Sequence, residues 1–344
     1  MCSPDLLCAV TEPGAGVGTV RLRDGVEIEL SDGRTVVADA DRPRGDVNVL
    51  SHAHGDHLYD DPPERVVCSA LTAALAEARR EEAGPLTRES VPEIDLYEAG
   101  HIAGSRAVLI TDPGTDRRYC YTGDISTRNR AYLSGFSSPD ADVLIIEATY
   151  GRPEYVFPDQ ADLEAEITEW LAETMDRPVL LFGYSLGRAQ KLQLLAQRAG
   201  RSRVLVSKAI SRINGVIEEY RDVSFDAERS GPDTELEAGD ALVLPTGTNN
   251  LAFVDAILEE TGALKAGFSG WAMSSAFKYR GDYDATFTLS DHCDFAELVE
   301  VVETVDPEIV YTQHGFADEL ATHLTGLGYE TRTLKRNQTA LGDF

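Results

Sequence analysis

The chain contains 344 residues, 42% of them hydrophobic, with 59 acidic residues against 31 basic ones and a formal net charge of −28. This length and apolar content indicate a folded globular protein and favour two domains over one. No run approaches the roughly 18 consecutive apolar residues that a membrane span needs. The first residues, MCSPDLLCAVTEPGAG, lack the basic start and apolar core of a signal peptide, so we expect a cytoplasmic protein with no membrane partner.

The acidic excess constrains the environment of the protein more than its partners. Such acidity on a chain of ordinary apolar content resembles adaptation to the salt-rich cytoplasm of halophilic archaea. In dilute solution the charge would repel a polyanion and destabilise the fold. At molar salt the Debye length falls to about 3 Å, so only close contacts between charges matter. The net charge therefore does not exclude a nucleic-acid partner.

The five cysteines are Cys2, Cys8, Cys68, Cys120 and Cys293. Their odd number and the absence of a CxxC pair argue against a disulfide framework and against a cysteine-rich zinc knuckle. We expect them to pack as small buried hydrophobic residues. For Cys293, a role as a metal ligand was the alternative to packing.

The first predicted element is an antiparallel hairpin or meander. Residues Gly18–Ala38 alternate between apolar and polar side chains and are broken by Asp-Gly pairs, which are typical hairpin turns. Asp39 follows directly, just before the next strand. A carboxylate there could orient a histidine ligand. Ordinary turn capping by Asp39 or Asp41 fits the sequence about equally well.

The clearest chemical signal is SHAHGDHLY, residues 51–59, which holds three of the seven histidines. It follows a short apolar run, DVNVL, that predicts a buried strand. His52 and His54 are two residues apart and project the same way from an extended backbone, so they can bind one ion. Asp56 and His57 are left to reach a second ion. Imidazoles combined with a carboxylate favour zinc or a similar borderline metal.

Further polar groups follow the next strands. An alanine-rich helix with a serine cap is predicted over Ser69–Ala83. His101 then lies in a loop between two strand-like runs, where glycines leave its ring free to turn inward. Asp124 and Glu147 come at the ends of the strands RYCYTG and ADVLII. Because successive strands each end in such a group, we expect these side chains to converge, with Asp124 placed to bridge two cations.

After Pro158 the pattern changes to a long amphipathic helix, a strand and a second helix. Ser185, Gly187 and Arg188 open the second helix and resemble an anion-binding helix N-terminus. An ordinary cap, with glycine for close packing, is an equally good interpretation. The letters GYSLG also match the G-x-S-x-G elbow of serine hydrolases. The metal residues account better for catalysis, and no histidine is committed to a serine triad.

A second α/β unit of short strands and helices is predicted over Val204–Thr261. Beyond it, a segment with Trp271, Lys278 and Arg280 brings aromatic and basic side chains together. Such a mixture can stack bases and hold phosphates. A partly buried aromatic cluster beside surface charges is at least as common.

The last part of the chain adds two histidines after strands. His292 follows a strand and opens a helix, and His314 follows another strand. His323 lies within a predicted helix, and we expect it to be a surface or packing residue.

Together these motifs resemble those of the metallo-β-lactamase superfamily and, within it, of the β-CASP nucleases. SHAHGDH resembles the HxHxDH signature, GHIAGS supplies His101, and TGD supplies Asp124. IEATYG, LSDHCDF and YTQHGF resemble the acidic motif A and the histidine motifs B and C. The resemblance covers almost the whole chain. It extends to DNA-ligase-associated exonucleases and to archaeal mRNA 3′-end processing factors.

The resemblance implies an α/β fold, namely a four-layer αββα metallo-β-lactamase sandwich with an inserted α/β β-CASP domain. Residues 1–157 would form the first part of the metallo-β-lactamase domain and residues 158–270 the β-CASP domain, which caps the metal cleft. Residues 271–344 would complete the sandwich.

The resemblance also implies a centre of two zinc ions, with manganese as an alternative. The first ion would be bound by His52, His54 and His101. The second ion would be bound by Asp56, His57 and His314, and Asp124 would be shared by both.

Four residues are implied as catalytic groups. His292, oriented by Glu147, would donate a proton to the leaving oxygen. Asp56 would act in the metal centre, and Asp39 would support the ligands from behind. The expected substrate-binding residues are Ser185, Gly187, Arg188, Lys278 and Arg280.

The function implied is a two-metal phosphodiesterase that cuts DNA or RNA as an exonuclease from the 5′ end, in processing or repair. An mRNA 3′-end processing endoribonuclease is the alternative, although the N-terminal part is too short for the KH domains of such relatives. A hydrolase of a small ester or thioester needs no inserted domain, and a non-catalytic scaffold would lack metal ligands. The expected partner is a single-stranded nucleic-acid end. A homodimer and association with a DNA ligase or RNA-processing factors are left open.

Overall fold

The computed structural model describes residues 19–80, 84–231 and 233–336. Cys2, Cys8 and the last three positions of the helix predicted over Ser69–Ala83 lie outside the described residues. No helix in the described ranges is long and apolar enough to cross a membrane.

The strands alternate with helices through most of the chain. In chain order the strands are β1 Val20–Leu22, β2 Val26–Glu29, β3 Thr35–Ala38, β4 Val47–Val49, β5 Ile94–Glu98, β6 Arg106–Thr111, β7 Arg118–Tyr121, β8 Val143–Glu147, β9 Val179–Gly183, β10 Arg203–Val206, β11 Glu228–Arg229, β12 Asp240–Pro245, β13 Leu264–Phe268, β14 Ala285–Phe287, β15 Ile309–Gln313 and β16 Thr331–Thr333. The helices are α1 Ala70–Arg79, α2 Gln160–Glu173, α3 Arg188–Arg198, α4 Lys208–Tyr220, α5 Ala252–Thr261, α6 Ser275–Gly281, α7 Phe295–Val305 and α8 Ala317–Leu327.

The N-terminal sheet has the strand order β1-β2-β3-β4. Its first three strands are antiparallel, whereas β3 and β4 are parallel. The second hairpin turns at Asp32 and Gly33, where glycine accommodates a φ of 87°. The predicted antiparallel meander is confirmed over residues 20–38. The N–H of Asp39 donates to the carbonyl of Val49, so this sheet holds Asp39 beside the end of β4.

The central sheet has the order β16-β15-β8-β7-β6-β5. The strands β7, β8, β15 and β16 run parallel to one another. Their carboxyl ends therefore meet at one edge of the sheet, and Glu147 at the end of β8 pairs in register with Gln313 at the end of β15. Asp124, Glu147 and His314 are delivered to this edge, as expected from the strand ends in the sequence.

Two apolar cores lie on opposite faces of the central sheet. Side chains such as Val36 of the N-terminal sheet and Ile145 of the central sheet fill the space between these two sheets. The helices α7 and α8 cover the other face through Leu298 and Leu320. Burying each such side chain contributes about 1.5–3 kcal/mol, so both cores hold the edge with the polar residues in place.

A third sheet, with the order β11-β10-β12-β9-β13-β14, is parallel throughout. The helices α2 and α3 cover one face and α5 covers the other. The side chains of Leu71 and Leu75 on α1 pack with Ile213 and Ile217 on α4, which joins this unit to the rest of the chain. The third sheet therefore forms one wall above the edge of the central sheet.

The third sheet runs past residue 270, where the second unit is predicted to end. Strand β14, Ala285–Phe287, pairs with β13 and extends the third sheet. The sequence between them reads as a surface segment, because the short helix α6 separates two neighbouring strands. The third sheet therefore includes residues as far as 287.

The predicted mixed α/β class is confirmed by these three sheets and their helices. Cys68, Cys120 and Cys293 are free and buried, as predicted, while Cys2 and Cys8 lie outside the described residues. Burial raises the pKa of Cys120 to about 12 and the pKa of Cys293 well above its usual value. These thiols are therefore packing residues.

Candidate metal centre

The loop after β4 carries the histidine segment to the edge of the central sheet. Asp39 lies behind this loop, with a φ of 50° that aspartate tolerates better than most residues. Its carboxylate accepts the backbone N–H of Ser51 at 2.7 Å and the hydroxyl of Tyr121 at 2.8 Å. It also lies 2.8 Å from Nδ1 of His57. Asp39 therefore orients the His57 ring from behind and leaves Nε2 of that ring facing forward.

Histidine nitrogens surround the carboxylate of Asp124. Its Oδ2 atom lies 3.5 Å from Nε2 of His52 and 3.6 Å from Nε2 of His101. With His54, these residues form a group whose ligand atoms all lie within 4.8 Å of one another, called the inner group below. Ligands that share one zinc ion at about 2.0–2.2 Å are roughly 3.3 Å apart in tetrahedral geometry. The spacing in the inner group therefore fits one cation.

In the inner group, His54 and His101 turn ring nitrogens that carry no hydrogen, called bare nitrogens below, toward each other. Nδ1 of His101 donates to the carbonyl of Asp291 at 2.8 Å, and Nε2 of His54 donates to the carbonyl of Leu186 at 3.0 Å. A neutral imidazole carries one N–H, so the other nitrogen of each ring has no hydrogen. These two nitrogens lie 3.0 Å apart. Their lone pairs repel each other, and a cation between them removes the repulsion.

His52 supplies a third nitrogen of the same kind. Its Nδ1 lies 2.9 Å from the hydroxyl of Ser51, which itself donates to Asp39. Its Nε2 is buried and has no hydrogen-bond partner within the described part of the chain. Leaving a buried polar atom unpaired costs about 1–3 kcal/mol. A metal ion is the partner that fits an acceptor facing other acceptors, so the inner group fits a bound metal.

The protonation of the inner group follows from burial. Burial lowers the pKa of His52 and His101 well below the usual range, and neighbouring histidines lower both further. Burial also lowers the pKa of His54 to about 4. Burial raises the pKa of Asp124, but His57 and the other histidines outweigh it and hold that pKa well below its usual range. Neutral imidazoles and an ionised carboxylate are the forms that bind metals.

A cleft of about 590 Å³ opens over the inner group. Its walls come from the loop after β4, from α1, from the end of the central sheet and from the third-sheet unit. It is lined by His54, Gly55, Asp56, His57, Arg79, Asp124, Thr149, Tyr184, Ser185, Pro245, Thr246, Gly247, His292, His314 and Gly315.

The other predicted ligands, Asp56, His57 and His314, lie on the outer side of the inner group. Nε2 of His57 is 3.5 Å from Oδ2 of Asp124, and the His57 and His314 ring centres are 5.8 Å apart. Asp56 and His314 are exposed and belong to none of the close ligand groups found among the described residues. The structure thus brings His57 to Asp124 and leaves Asp56 and His314 at the rim of the cleft.

His292 and Glu147 form a second feature of the cleft. Nδ1 of His292 lies 2.9 Å and 3.0 Å from the two carboxylate oxygens of Glu147. Glu147 also accepts the N–H of Ile125 and the hydroxyl of Thr149, so its oxygens are already used. Burial lowers the pKa of His292, but Glu147 and Asp124 outweigh burial and raise it to about 9. The ring is therefore held as a proton donor.

The predicted substrate contacts at the start of α3 fit only in part. Ser185 lines the cleft. Gly187 and Arg188 do not line the cleft, and their predicted substrate contacts stay predictions. The N–H of Gly187 donates to the side chain of Gln190 at 2.7 Å, so this amide is not free for an anion. Arg188 is 3% exposed and lies 3.1 Å from the carboxylate of Asp291, because the helix start is packed inside the protein.

Lys278 and Arg280, the other two predicted substrate contacts, lie on α6 and do not line the cleft. Nζ of Lys278 donates to the carbonyl of Asp284 at 2.8 Å. Lys278 and Arg280 are close to His292 in the sequence, but α6 lies at the β13–β14 end of the third sheet. Their predicted substrate contacts therefore stay predictions that the lining of the cleft does not support.

Three residues at the site were missed in the sequence. The backbone carbonyl of Asp291 accepts a hydrogen bond from His101, and its carboxylate pairs with the buried side chain of Arg188. Arg79 and Tyr184 line the cleft. Asp291 lies directly before His292, and Tyr184 lies within GYSLG, so adjacency to a chemical motif was an available signal. Arg79 sits in a helix with ordinary charge spacing and offers no such signal.

Several known proteins are similar to this chain in sequence. No family model matches the chain. Over 307 residues, 85% of this chain is 34% identical to part of a protein from Opitutus terrae named "Probable DNA ligase". Over 220 residues, 52% of this chain is 29% identical to an RNase J-like protein of Methanocaldococcus jannaschii. Cleavage and polyadenylation specificity factor subunit 3 of Dictyostelium discoideum is 33% identical over 107 residues, which is 30% of this chain.

The last two relatives are β-CASP members of the metallo-β-lactamase superfamily. Their sequence similarity to this chain agrees with the histidine and aspartate geometry described above. The chain belongs to the β-CASP family. It covers 29%, 52% and 13% of the lengths of these three relatives, respectively.

Proposed function

We propose that this β-CASP protein is a metal-dependent phosphodiesterase that cleaves a nucleic-acid strand in the cleft over the inner group. The observation that carries the proposal is the 3.0 Å approach of two bare nitrogens, on His54 and His101, beside the carboxylate of Asp124. A general acid, His292, stands on the same cleft. The relatives named for RNase and for polyadenylation-linked cleavage support a nucleic-acid substrate.

The fold proposed for this function is the αββα sandwich of the metallo-β-lactamase superfamily with an inserted β-CASP domain. The face-to-face packing of the N-terminal and central sheets, with α7 and α8 outside, supports the sandwich. The third-sheet unit, residues 158–287, is the proposed insertion. Its loops at Tyr184 and at 245–247 form the wall of the cleft opposite the histidine segment.

In this proposal the inner group binds one zinc ion, and Asp56, His57 and His314 bind a second ion shared with Asp124. Manganese can take the same ligands. Two such ions, when bound, lower the pKa of a water molecule and offset charge on the phosphate. Asp56 and His314 are exposed at the rim, so their side chains would be the ones that complete the second site.

The residues of the chain supply the proton for the leaving group. Glu147 holds Nδ1 of His292, so Nε2 of that ring is the donor toward the cleft. The raised pKa of His292 keeps this nitrogen protonated at neutral pH. A proton passed from Nε2 to the leaving oxygen avoids an unstable alkoxide, which is general acid catalysis.

We favour a DNA strand entered from the 5′ end. A segment similar to 85% of this chain is part of a protein named as a DNA ligase, which supports processing of DNA ends. The alternative is an endoribonuclease of mRNA 3′ ends, supported by the similarity to the polyadenylation factor subunit. A hydrolase of small esters is disfavoured, since the third-sheet unit adds a wall that a small substrate does not need.

The test is cleavage of matched DNA and RNA single strands, each labelled at the 5′ end or at the 3′ end, at high salt with zinc or manganese. An exonuclease acting from the 5′ end releases the 5′ label as a mononucleotide at once and shortens the 3′-labelled strand stepwise. Internal cuts in RNA alone would support the endoribonuclease. Failure to cut any strand, together with hydrolysis of a small ester, would overturn the proposal.

A further inference from the structure

Arg79 is the one arginine or lysine among the described residues that line the cleft. It lies in the last turn of α1 and is partly buried. Within residues 19–80, 84–231 and 233–336, its guanidinium makes no hydrogen bond and no ion pair within 4.0 Å. Asp56 attracts it from a longer distance, while Arg80 and Arg212 repel it. Since arginine stays protonated at all working pH values, the cleft contains a permanent cation that no described residue holds in a hydrogen bond or a close ion pair.

The lack of a close partner for Arg79 contrasts with the ion pairs that other buried or partly buried cations make. Arg188 and Lys191 both pair with the carboxylate of Asp291 and are almost fully buried. Arg106 pairs with Glu98 at 2.8 Å. In a chain with 59 acidic residues against 31 basic ones, carboxylates are abundant, yet none within the described ranges pairs with Arg79.

The position of Arg79 is fixed relative to the histidine segment. A β-carbon at Gly55 would lie 3.8 Å from Nη2 of Arg79, so the guanidinium rests against the backbone between His54 and Asp56. Planar guanidinium groups bind phosphate oxygens through two parallel hydrogen bonds. An anion that reaches the metal centre therefore passes within range of this group.

Tyr184 borders the same segment from the third-sheet unit. Its side chain is 54% exposed although it lines a cleft. The centre of its ring lies 6.0 Å from the centre of the His54 ring. Cζ of Arg188 lies 5.0 Å from the same ring centre and supports the tyrosine from the protein side. Exposed aromatic rings in such positions stack on nucleobases regardless of their sequence.

We propose that Arg79 and Tyr184 form a subsite for one nucleotide of the bound strand, in which Arg79 binds a backbone phosphate and Tyr184 stacks on a base. This inference rests on the proposed function and adds the residues that grip the strand. It replaces the contacts expected of Gly187, Arg188, Lys278 and Arg280. The strand then lies across His54 and Gly55, with its charge held by Arg79 in a protein that is acidic overall.

The test uses the metal-loaded full chain and single strands protected by phosphorothioate linkages, with affinity measured by fluorescence anisotropy. In one series a neutral methylphosphonate replaces each linkage in turn. We expect the wild type to lose affinity at one linkage and Arg79→Gln to show no loss there. A plot of log affinity against log salt concentration has a negative slope, and in Arg79→Gln this slope should be shallower by about 0.7. Arg79→Lys should keep most of this slope.

Arg80→Gln is the matched control, because it removes the same charge one residue away. Arg80 lies 3.5 Å from Asp60 and over the ring of Tyr59, outside the cleft lining. It should keep the penalty at the neutral linkage. If Arg79→Gln also keeps that penalty, the phosphate contact is overturned.

A second series replaces each base by an abasic residue. The wild type should lose affinity about fivefold or more at one position. Tyr184→Phe should keep this loss and Tyr184→Leu should abolish it, while Tyr279→Leu, at an 82% exposed tyrosine outside the cleft, should behave as wild type. An unchanged abasic penalty in Tyr184→Leu would overturn the stacking contact. A wild type that neither binds nor cuts any strand would instead overturn the proposed function.

Discussion

Nδ1 of His292 lies 2.9 Å from Oε2 of Glu147, although 145 residues separate the two positions in the chain. Glu147 ends β8 and is fully buried, while His292 follows β14 and precedes the capping box that opens α7. Two separate parts of the fold must therefore dock before this pair forms. The proposed role of His292 as a general acid rests on this pair.

The pH dependence of stability tests the pair in the metal-free protein. Because the pKa of His292 is raised in the folded state from 6.5 to about 9, its stabilisation is complete below pH 6.5 and is lost as pH rises through about 9. Glu147→Gln removes the carboxylate that raises this pKa. We therefore expect the decrease in unfolding free energy between pH 6.5 and 9, measured with urea, to be smaller in Glu147→Gln. Identical pH profiles would contradict the account.

Metal binding should stabilise the protein through the inner group. Zinc added to the chelator-treated wild type should raise the melting temperature. At a zinc concentration of 100 times the dissociation constant, the unfolding free energy should increase by about 2.7 kcal/mol. Asp124→Asn should lose most of this increase, since its carboxylate is central to the group. His323→Ala is the control, because His323 on α8 packs against Phe295 on α7 and belongs to none of the close ligand groups found among the described residues. A full zinc response in Asp124→Asn would show that the ligands were misassigned.

Asp291 is predicted to be the most costly polar residue to replace near the site. Its carboxylate pairs with Arg188 and Lys191 of the third-sheet unit and lies 3.9 Å from Arg130, and all four side chains are buried. Burial raises the pKa of Asp291, but Lys191 and the two arginines outweigh it and hold the pKa well below its usual range. Asp291→Asn leaves three buried cations uncompensated and should cost roughly 3–5 kcal/mol.

Lys191→Met is the comparison for Asp291→Asn, because it leaves the carboxylate with two cations. We expect a smaller loss of stability in urea unfolding. Equal losses would show that the pairing with Lys191 carries most of the effect. Since the carbonyl of Asp291 also holds His101, Asp291→Asn should weaken zinc binding more than Lys191→Met does.

The histidine segment and the strand ends could be read from the sequence, because both depend on local patterns. His52 and His54 lie two residues apart after a strand, and parallel strands bring Glu147 and His314 to one edge. The antiparallel meander at residues 20–38 follows from Asp-Gly turns. These features need no knowledge of distant contacts.

The surroundings of other residues depend on tertiary packing that the sequence does not display. Arg188 was expected at the substrate because it opens a helix, but Asp291, about a hundred residues later, draws it inside. Strand β14 was missed because α6 separates it from its partner β13. Arg79 could not be singled out, since the property that distinguishes it is that no carboxylate of the described residues lies within ion-pair distance of its guanidinium, which only the three-dimensional structure reveals.

Salt should stabilise the whole protein. A formal net charge of −28 repels itself in dilute buffer, and ions screen this repulsion. We expect the melting temperature to rise steadily between about 0.1 M and 2 M KCl, whereas sorbitol at equal osmolality should give a smaller rise. A melting temperature that does not change with KCl would contradict adaptation to a salt-rich cytoplasm.

The central claim is that the inner group binds metal while His292 performs acid catalysis. The most direct measurement determines metal content and strand cleavage in the same preparations of the wild type, His292→Ala and Asp124→Ala. We expect His292→Ala to keep its metal and to lose activity by about 10²–10⁴-fold, whereas Asp124→Ala should lose both metal and activity. Full activity of His292→Ala, or full metal content in Asp124→Ala, would contradict it.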